Sequence, residues 1–327
     1  MIAAAGLDLL LGDPRWCPHP VVWMGRCITI VRRCVERLAG DNRLGLRAGG
    51  GLITLVLVLG SGTCGWALER LVLPGSPLPS PWAAAVLVVG LASSLAARSL
   101  RDSVLAVVDA LPDLVAARRS LAWIVGRDTE ALDQDEILRA AAETASENAV
   151  DGLFAPLFWM LVGAALWQLG CTAGPGPLAL AWAFKASSTL DSMLGYRRGR
   201  LQWLGTAGAR LDDALTWLPC RLVLLTLPLV SRPWSAWLRL VHAAERDGRP
   251  DPSPNAGRSQ AIYAHCAGVR LGGANRYGER WVEKPLLAAG QPPVDATAVR
   301  RILNLSARLE LLWLLLALGA SSQPLLR

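Results

Sequence analysis

Three acids, Glu143, Glu147 and Asp151, recur at four-residue intervals in the stretch ETASENAVDGLFAPLFW. On a helix, positions i, i+4 and i+8 share a face, and like charges there repel by roughly a few tenths of a kcal/mol each. The repulsion grows where the surroundings screen poorly, and an uncharged run begins at Gly152, directly after the third acid. Such a face persists when water solvates it, when arginines pair with it, or when a cation carrying phosphate holds it. Spacing alone makes the first two the commoner outcomes. Three more acids, Asp191, Asp212 and Asp213, stand at the edges of other apolar stretches and tip the reading toward a metal or phosphate site. Mg²⁺ is the natural ion, because it takes oxygen ligands and shares them with phosphates.

Other short motifs carry weaker signals. SPNAG, Ser253–Gly257, is a turn: Pro254 fixes φ, while Asn255 and Gly257 tolerate left-handed backbone. Such a loop can turn backbone N–H groups toward an anion, although most such turns are only turns. The run Arg270-Leu-Gly272-Gly273 can bring backbone close to a ligand, with the same reservation. No GxxxxGK[ST] occurs, so a bound nucleotide would not use a P-loop. His19, His242 and His265 lack metal-ligand spacing, and His19, between two prolines, reads as structural. Seven cysteines form no CxxC pair and are odd in number, so they read as reduced, mostly buried small side chains.

These residues need elements to position them, and composition says which kind. Of 327 residues, 53% are hydrophobic and only 18% charged, against about 25% in an ordinary soluble domain. No Asp, Glu, Lys or Arg falls in 48–68, 71–97, 152–184 or 311–326. A helix needs about 20 apolar residues to cross a bilayer. The fold class expected is therefore all-α: a polytopic membrane bundle with polar helical and loop regions, in one membrane domain over 1–327. Spans are expected near 48–68, 82–97, 153–172, 178–190 and 306–323. GPGP at 174–177 splits the third uncharged run into two helices. The segment 214–231, with Arg221 between two prolines, is expected as a re-entrant or interfacial hairpin, because a full span would put thirteen basic residues outside. The start, MIAAAGLDLLLGDP, has no basic flank and holds Asp8, so a cleaved signal peptide is not expected.

The net charge of +7 is not spread evenly. The segments 13–47, 98–152, 185–213 and 221–310 hold 31 of the 33 basic residues, whereas the outer turns 69–81 and 171–177 hold only Arg70. This is the positive-inside pattern, and it points to lipid and phosphorylated ligands rather than nucleic acid. Segments 98–150 and 232–305 are accordingly expected on the cytoplasmic side of the inner membrane. Every polar motif then lies at that one face.

In order along the chain, GDP…HPVVWMG, ETASENAVDGLFAPLFW, KASSTLDSMLGY, ARLDDALTWLPCRL and SPNAG…GVRLGGANRYG resemble the CobD/CbiB family of cobalamin biosynthesis, across residues 7–290. Each motif is weak alone, and the ordered set is highly specific. The resemblance implies adenosylcobinamide-phosphate synthase activity. Adenosylcobyric acid, an adenosylated corrinoid, would be joined through an amide to (R)-1-amino-2-propanol or its O-phosphate, with ATP as co-substrate and Mg²⁺ as cofactor. It implies catalytic roles for Glu143, Glu147, Lys185 and Asp191, and metal ligation by Asp13, Glu147, Asp151, Asp212 and Asp213. Substrate and phosphate binding would fall to Asn148, Arg210 and Arg258, to Ser253, Asn255 and Gly257, and to Arg270, Gly272, Gly273 and Tyr277. The sequence departs from the family pattern at Ser188, Thr216 and Cys220, and at Gln260, where Glu is frequent. A transporter, or a signalling protein of the related AmpE-like branch, is the competing reading. Partners expected are the corrinoid, the amino-alcohol, lipid, and either a second copy or other cobalamin-assembly enzymes.

Overall fold

The computed structural model describes residues 1–13, 19–73, 80–231, 234–277 and 280–321. Helices dominate as expected: α1 (Ile2–Leu11), α2 (Pro20–Ala39), α3 (Arg43–Glu69), α4 (Ser80–Ala92), α5 (Ala97–Asp109), α6 (Leu114–Ala122) and α7 (Gln134–Ala149). A π-helical turn, Val150–Phe154, joins α7 to α8 (Ala155–Gln168). Then come α9 (Pro177–Leu194), α10 (Leu201–Leu204), α11 (Thr206–Ser231), α12 (Trp237–Gly248) and α13 (Ala256–Ala267). An antiparallel hairpin of β1 (Leu271–Tyr277) and β2 (Arg280–Leu287) precedes α14 (Ala296–Ser321). That hairpin is the one departure from an all-α reading among the described residues.

Among the described residues, five helical stretches are long and apolar enough to cross a membrane: Arg43–Val72, Ser80–Asp109, Gln134–Gln168, Thr206–Ser231 and Ala296–Ala320. The chain is thus built as a polytopic helical membrane protein. The expected span at 178–190 falls in α9, which carries Lys185 and Asp191 and is not one of the five. The expected hairpin at 214–231 is corrected: this segment is the greater part of one continuous helix, with Pro219 and Pro228 inside it. Pro219 cannot donate to the carbonyl of Leu215. The indole N–H of Trp159 donates to that oxygen instead, at 3.2 Å, so the helix continues without a stranded acceptor.

The contacts divide the chain into two compact units. The first comprises Met1–Ala96 and Ala155–Thr216, and its centre is the packing of α3 against α9. Close approach requires glycine there. A Cβ at Gly65 would meet the backbone of Leu178 and Ala179, and one at Gly50 would meet the Leu204 carbonyl. A fully buried acid, Glu69, locks the same pair end to end. Its Oε2 accepts from the Gly176 N–H at 2.9 Å, and its Oε1 from Leu178 at 2.6 Å and Ala179 at 3.1 Å. The last turn of α3 thereby satisfies the free donors at the start of α9 and meets the positive end of its dipole.

The second unit comprises Ala97–Phe154 and Trp217–Arg327, with α7 in the middle. Its alanines at 140, 141, 142, 145 and 149 are fully buried, so helices α5, α13 and α14 can all lie against it. The Ser259 hydroxyl donates to the Ser146 carbonyl at 2.6 Å, and Tyr263 and Ser306 share a hydrogen bond at 2.7 Å. Phe154 meets Trp313 edge to face, with centroids 5.2 Å apart.

Glu69→Ala should strand three buried N–H groups at once. We expect a loss of about 2 kcal/mol or more in stability, read as a lower thermal midpoint of the purified protein in detergent. A midpoint equal to that of the unaltered chain would contradict this role.

Candidate active site

The sequence-selected residues fall into two groups, one in each unit. In the first unit, Lys185 and Asp191 stand six residues apart on α9, and Asp212 and Asp213 follow the start of α11. Asp191, Asp213 and Lys185 lie close enough to Asp212 for their charges to act on it. Asp212 is buried, and its Oδ1 accepts no hydrogen bond. A buried acceptor without a donor calls for an explanation, and a bound ion is one of those available. Gly195 lets the group form, because a Cβ there would run into the Asp191 carboxylate. Arg210, two residues before Asp212 on α11, is exposed. Asp13 pairs with His19 at 3.1 Å, and His19 Nδ1 caps α2 by accepting from the Val21 N–H. Residues 14–18 of the GDPRWCPHP motif lie outside the described residues.

In the second unit the three acids of the opening motif meet three different elements. Glu143 faces the hairpin. Its Oε1 accepts from the Gly272 N–H at 2.9 Å and from Arg139 at 3.3 Å, and its Oε2 accepts from Arg127. Arg127 and Arg139 also hold Asn275, and Arg139 donates to the Gly272 carbonyl at 2.7 Å. The carboxylate fastens β1 to α7. Glu147 faces α13: its Oε2 accepts from the Gln260 amide at 2.7 Å, with Lys284 and Asp251 in electrostatic range. Lys284 in turn lies 3.5 Å from the Asp251 carboxylate. Asp151 belongs to the π-helical turn, where the wider pitch breaks the strict four-residue register, and its charge reaches Cys220 on α11. Asn148 sits half-buried between them.

The SPNAG loop is held from both sides. Arg221 donates to the Asn255 side-chain oxygen at 2.6 Å and to the Pro254 carbonyl at 2.9 Å. Arg258 grips Glu245 through two bonds of 2.7 Å and reaches the Pro254 carbonyl at 3.0 Å. Its hydrogen bonds hold the Glu245 carboxyl below the ordinary carboxylate range. Arg258 therefore positions the loop. The Ser253 hydroxyl accepts from the N–H groups of Asn255 and Ala256, which opens α13. Gly257 is needed for contact: a Cβ there would meet Asp251 and the Gly248 carbonyl. Gly272 and Gly273 take φ of +83° and +93° at the irregular end of the hairpin, a conformation that favours glycine. Arg270 is exposed, and Tyr277 ends β1 with its side chain outside the described residues.

Sequence reasoning passed over Arg127, Arg139, Lys284 and Asp251. One signal was available for Lys284. The chain has only two lysines, Lys185 and Lys284, against 31 arginines, and each stands beside an acidic cluster. A compact ammonium there serves differently from a guanidinium fork. The five acids read as metal ligands are divided: Asp13, Asp212 and Asp213 in the first unit, Glu147 and Asp151 in the second. Among the described residues no three His, Cys, Asp or Glu side chains could hold a metal ion by themselves. Magnesium arriving with phosphate oxygens needs only one or two carboxylates, and Asp212 fits that demand with its unbonded Oδ1.

Glu143 and Arg127 are both buried, with side chains 5% and 7% exposed. Glu143→Ala would strand the guanidinium, so a loss of about 3–5 kcal/mol is expected, measured by thermal unfolding. Near-unaltered unfolding would show that the pair does not anchor the hairpin. Asp247 supplies a pH test. Burial raises its carboxyl, but the bonds from His265, Arg246 and the Ala288 N–H outweigh burial and leave it below its ordinary value of 3.8. A depressed folded value gives stability that is full above the unfolded pKa and lost as pH falls through the folded one. The unfolding midpoint should thus drop as pH is lowered below about 4, and Asp247→Asn should show a shallower drop.

Comparison with known proteins agrees with the ordered motifs. The sequence profile of the family described as CobD/Cbib protein matches residues 1–306. The chain is 41% identical to the cobalamin biosynthesis protein CobD of Synechocystis over 316 residues, covering 96% of this chain and 88% of the relative. It is also 41% identical to the CobD protein of Geobacter metallireducens, covering 97% and 94%. Against the cobalamin biosynthesis protein CbiB of Salmonella typhimurium the identity is 38%, over 91% and 89%. No solved structure matches the chain. A profile covering nearly the whole chain, with relatives of this identity and coverage, leaves one assignment: the chain belongs to the CobD/CbiB family.

Proposed function

We propose that this chain is an ATP-dependent amide ligase of cobalamin assembly. It would join adenosylcobyric acid to (R)-1-amino-2-propanol, or to its O-phosphate, at the cytoplasmic face of the inner membrane. The observation that carries the reading is Asp212, a buried carboxylate with one oxygen unbonded beside Asp191, Asp213 and Lys185. A carboxylate does not condense with an amine unaided. Transfer of the terminal phosphoryl group of ATP to the acid gives an acyl phosphate and ADP. The amine nitrogen then attacks the acyl carbon, the C–O bond to phosphate breaks, and amide and inorganic phosphate form.

Within that scheme the residues of this chain have separate tasks. Asp212 and Asp213 would hold magnesium, which supplies charge neutralisation at the phosphates when bound. Lys185 offers a point charge to a phosphoryl oxygen. Asp191, whose carboxylate lies against Gly195, would take the proton that the amine gives up. In the second unit, Glu147 with Lys284 and Gln260 forms a polar group suited to an ammonium or an amide side chain of the corrinoid. Arg221 and Arg258 hold the SPNAG loop in one conformation, so that substrate binding need not order it.

The test is conversion of adenosylcobyric acid by purified protein, dependent on both ATP and amine, with free and phosphorylated aminopropanol compared. Asp191→Asn and Asp212→Asn should each lower kcat by about a hundredfold or more while leaving thermal stability near its original value. Near-normal turnover in either variant would remove that residue from the mechanism. Absence of any new amide with either amine would favour a carrier, which makes no bond.

A further inference from the structure

The second unit contains a cavity of about 390 Å³ that shares no residue with the groups described above. Its wall is made by α14, the end of α13 and the end of α11. Three guanidinium groups line it, Arg300, Arg301 and Arg308, together with Thr297, Asn304 and Ser231. Positions 297, 301, 304 and 308 follow the period of one helical face, so α14 presents a stripe of donors along the cavity.

The charge there is unbalanced. Arg300 pairs with Asp109 at 2.7 Å, but both side chains are half-exposed or more, and such a pair adds little. Arg301 gives one N–H to the Ala267 carbonyl at 2.5 Å, closing the C-terminus of α13, and keeps its remaining donors. A fourth arginine, Arg101, reaches Asn304 at 3.3 Å. Among the described residues, Asp109 is the carboxylate seen paired with an arginine of the cavity. The ligand class follows from the donors: planar forks and hydroxyls arranged around a small volume suit a tetrahedral oxyanion with several oxygens. The position adds to this. Residues 311–321 of α14 are uncharged, so the cavity sits at the charged end of a candidate membrane span. Basic pockets at such ends are where lipid phosphates are met.

We propose that this cavity is a phosphate-binding site in which Arg300, Arg301 and Arg308 hold the phosphate of an anionic phospholipid headgroup or of a soluble phosphate compound. The full chain, purified in an uncharged detergent, is titrated with dioctanoyl phosphatidylglycerol, with dioctanoylglycerol, which lacks phosphate, and with inorganic phosphate, and binding is read as Kd and thermal shift. Phosphatidylglycerol should bind and raise the midpoint, and dioctanoylglycerol should do neither. Arg308→Gln, an exposed position with little to lose in folding, should weaken binding about tenfold, and Arg300→Gln with Arg308→Gln should weaken it further. Binding of phosphatidylglycerol alone assigns the site to a headgroup, and binding of inorganic phosphate with the same dependence on Arg308 assigns it to a soluble phosphate. Equal binding of both lipids, no response to either phosphate-bearing ligand, or unchanged affinity in Arg308→Gln would overturn the proposal.

Discussion

A carboxylate withdrawn from water must be met by donors, or it destabilises whatever buried it. Much of this fold follows from how that demand is answered. Glu69 is answered by three N–H groups at the start of α9, and the answer fixes where the helix bearing Lys185 and Asp191 begins. Glu143 is answered by two arginines and a backbone N–H of the hairpin, and so fastens β1 to α7. Glu147 is answered by Gln260. Asp212 differs, because one of its oxygens is not answered by the protein.

That difference separates acids engaged by the fold from one that keeps acceptor capacity. Glu143 and Glu69 each accept three hydrogen bonds from the chain, out of about four acceptor sites on a carboxylate, and so act as joints between elements. Asp212 retains acceptor capacity in a place where leaving it unused is costly, which is the condition for binding a cation. Arginines sort in the same way. Arg127, Arg139, Arg221 and Arg258 are spent on carbonyls and carboxylates of the chain, whereas Arg300 and Arg301 at the α14 cavity each give one bond to the chain.

Glycine divides along parallel lines. The family resemblance draws attention to Gly257, Gly272 and Gly273 as ligand-contacting positions. In the structure Gly257 lets α12 and α13 touch, and Gly272 and Gly273 accept positive φ at the hairpin's irregular end. Gly195 serves a candidate catalytic group more directly, since it makes room for the Asp191 carboxylate.

The sequence by itself determined the class of fold, because long uncharged runs have no stable place except inside an apolar medium. It also determined the split at GPGP, where proline and glycine end one helix and start another, and the family, through motifs whose order is more specific than any one of them. Tertiary structure decided what each charge does. The spacing of Glu143, Glu147 and Asp151 predicts one shared face but cannot say that the hairpin, α13 and α11 each face one acid, for those partners lie far away in sequence. It could not foresee that Trp159 would supply the donor Pro219 lacks, so the expected hairpin at 214–231 is a helix. Nor could it reveal Arg127 or Lys284 as partners, because pairing across long stretches of chain is set by packing, and packing is not periodic.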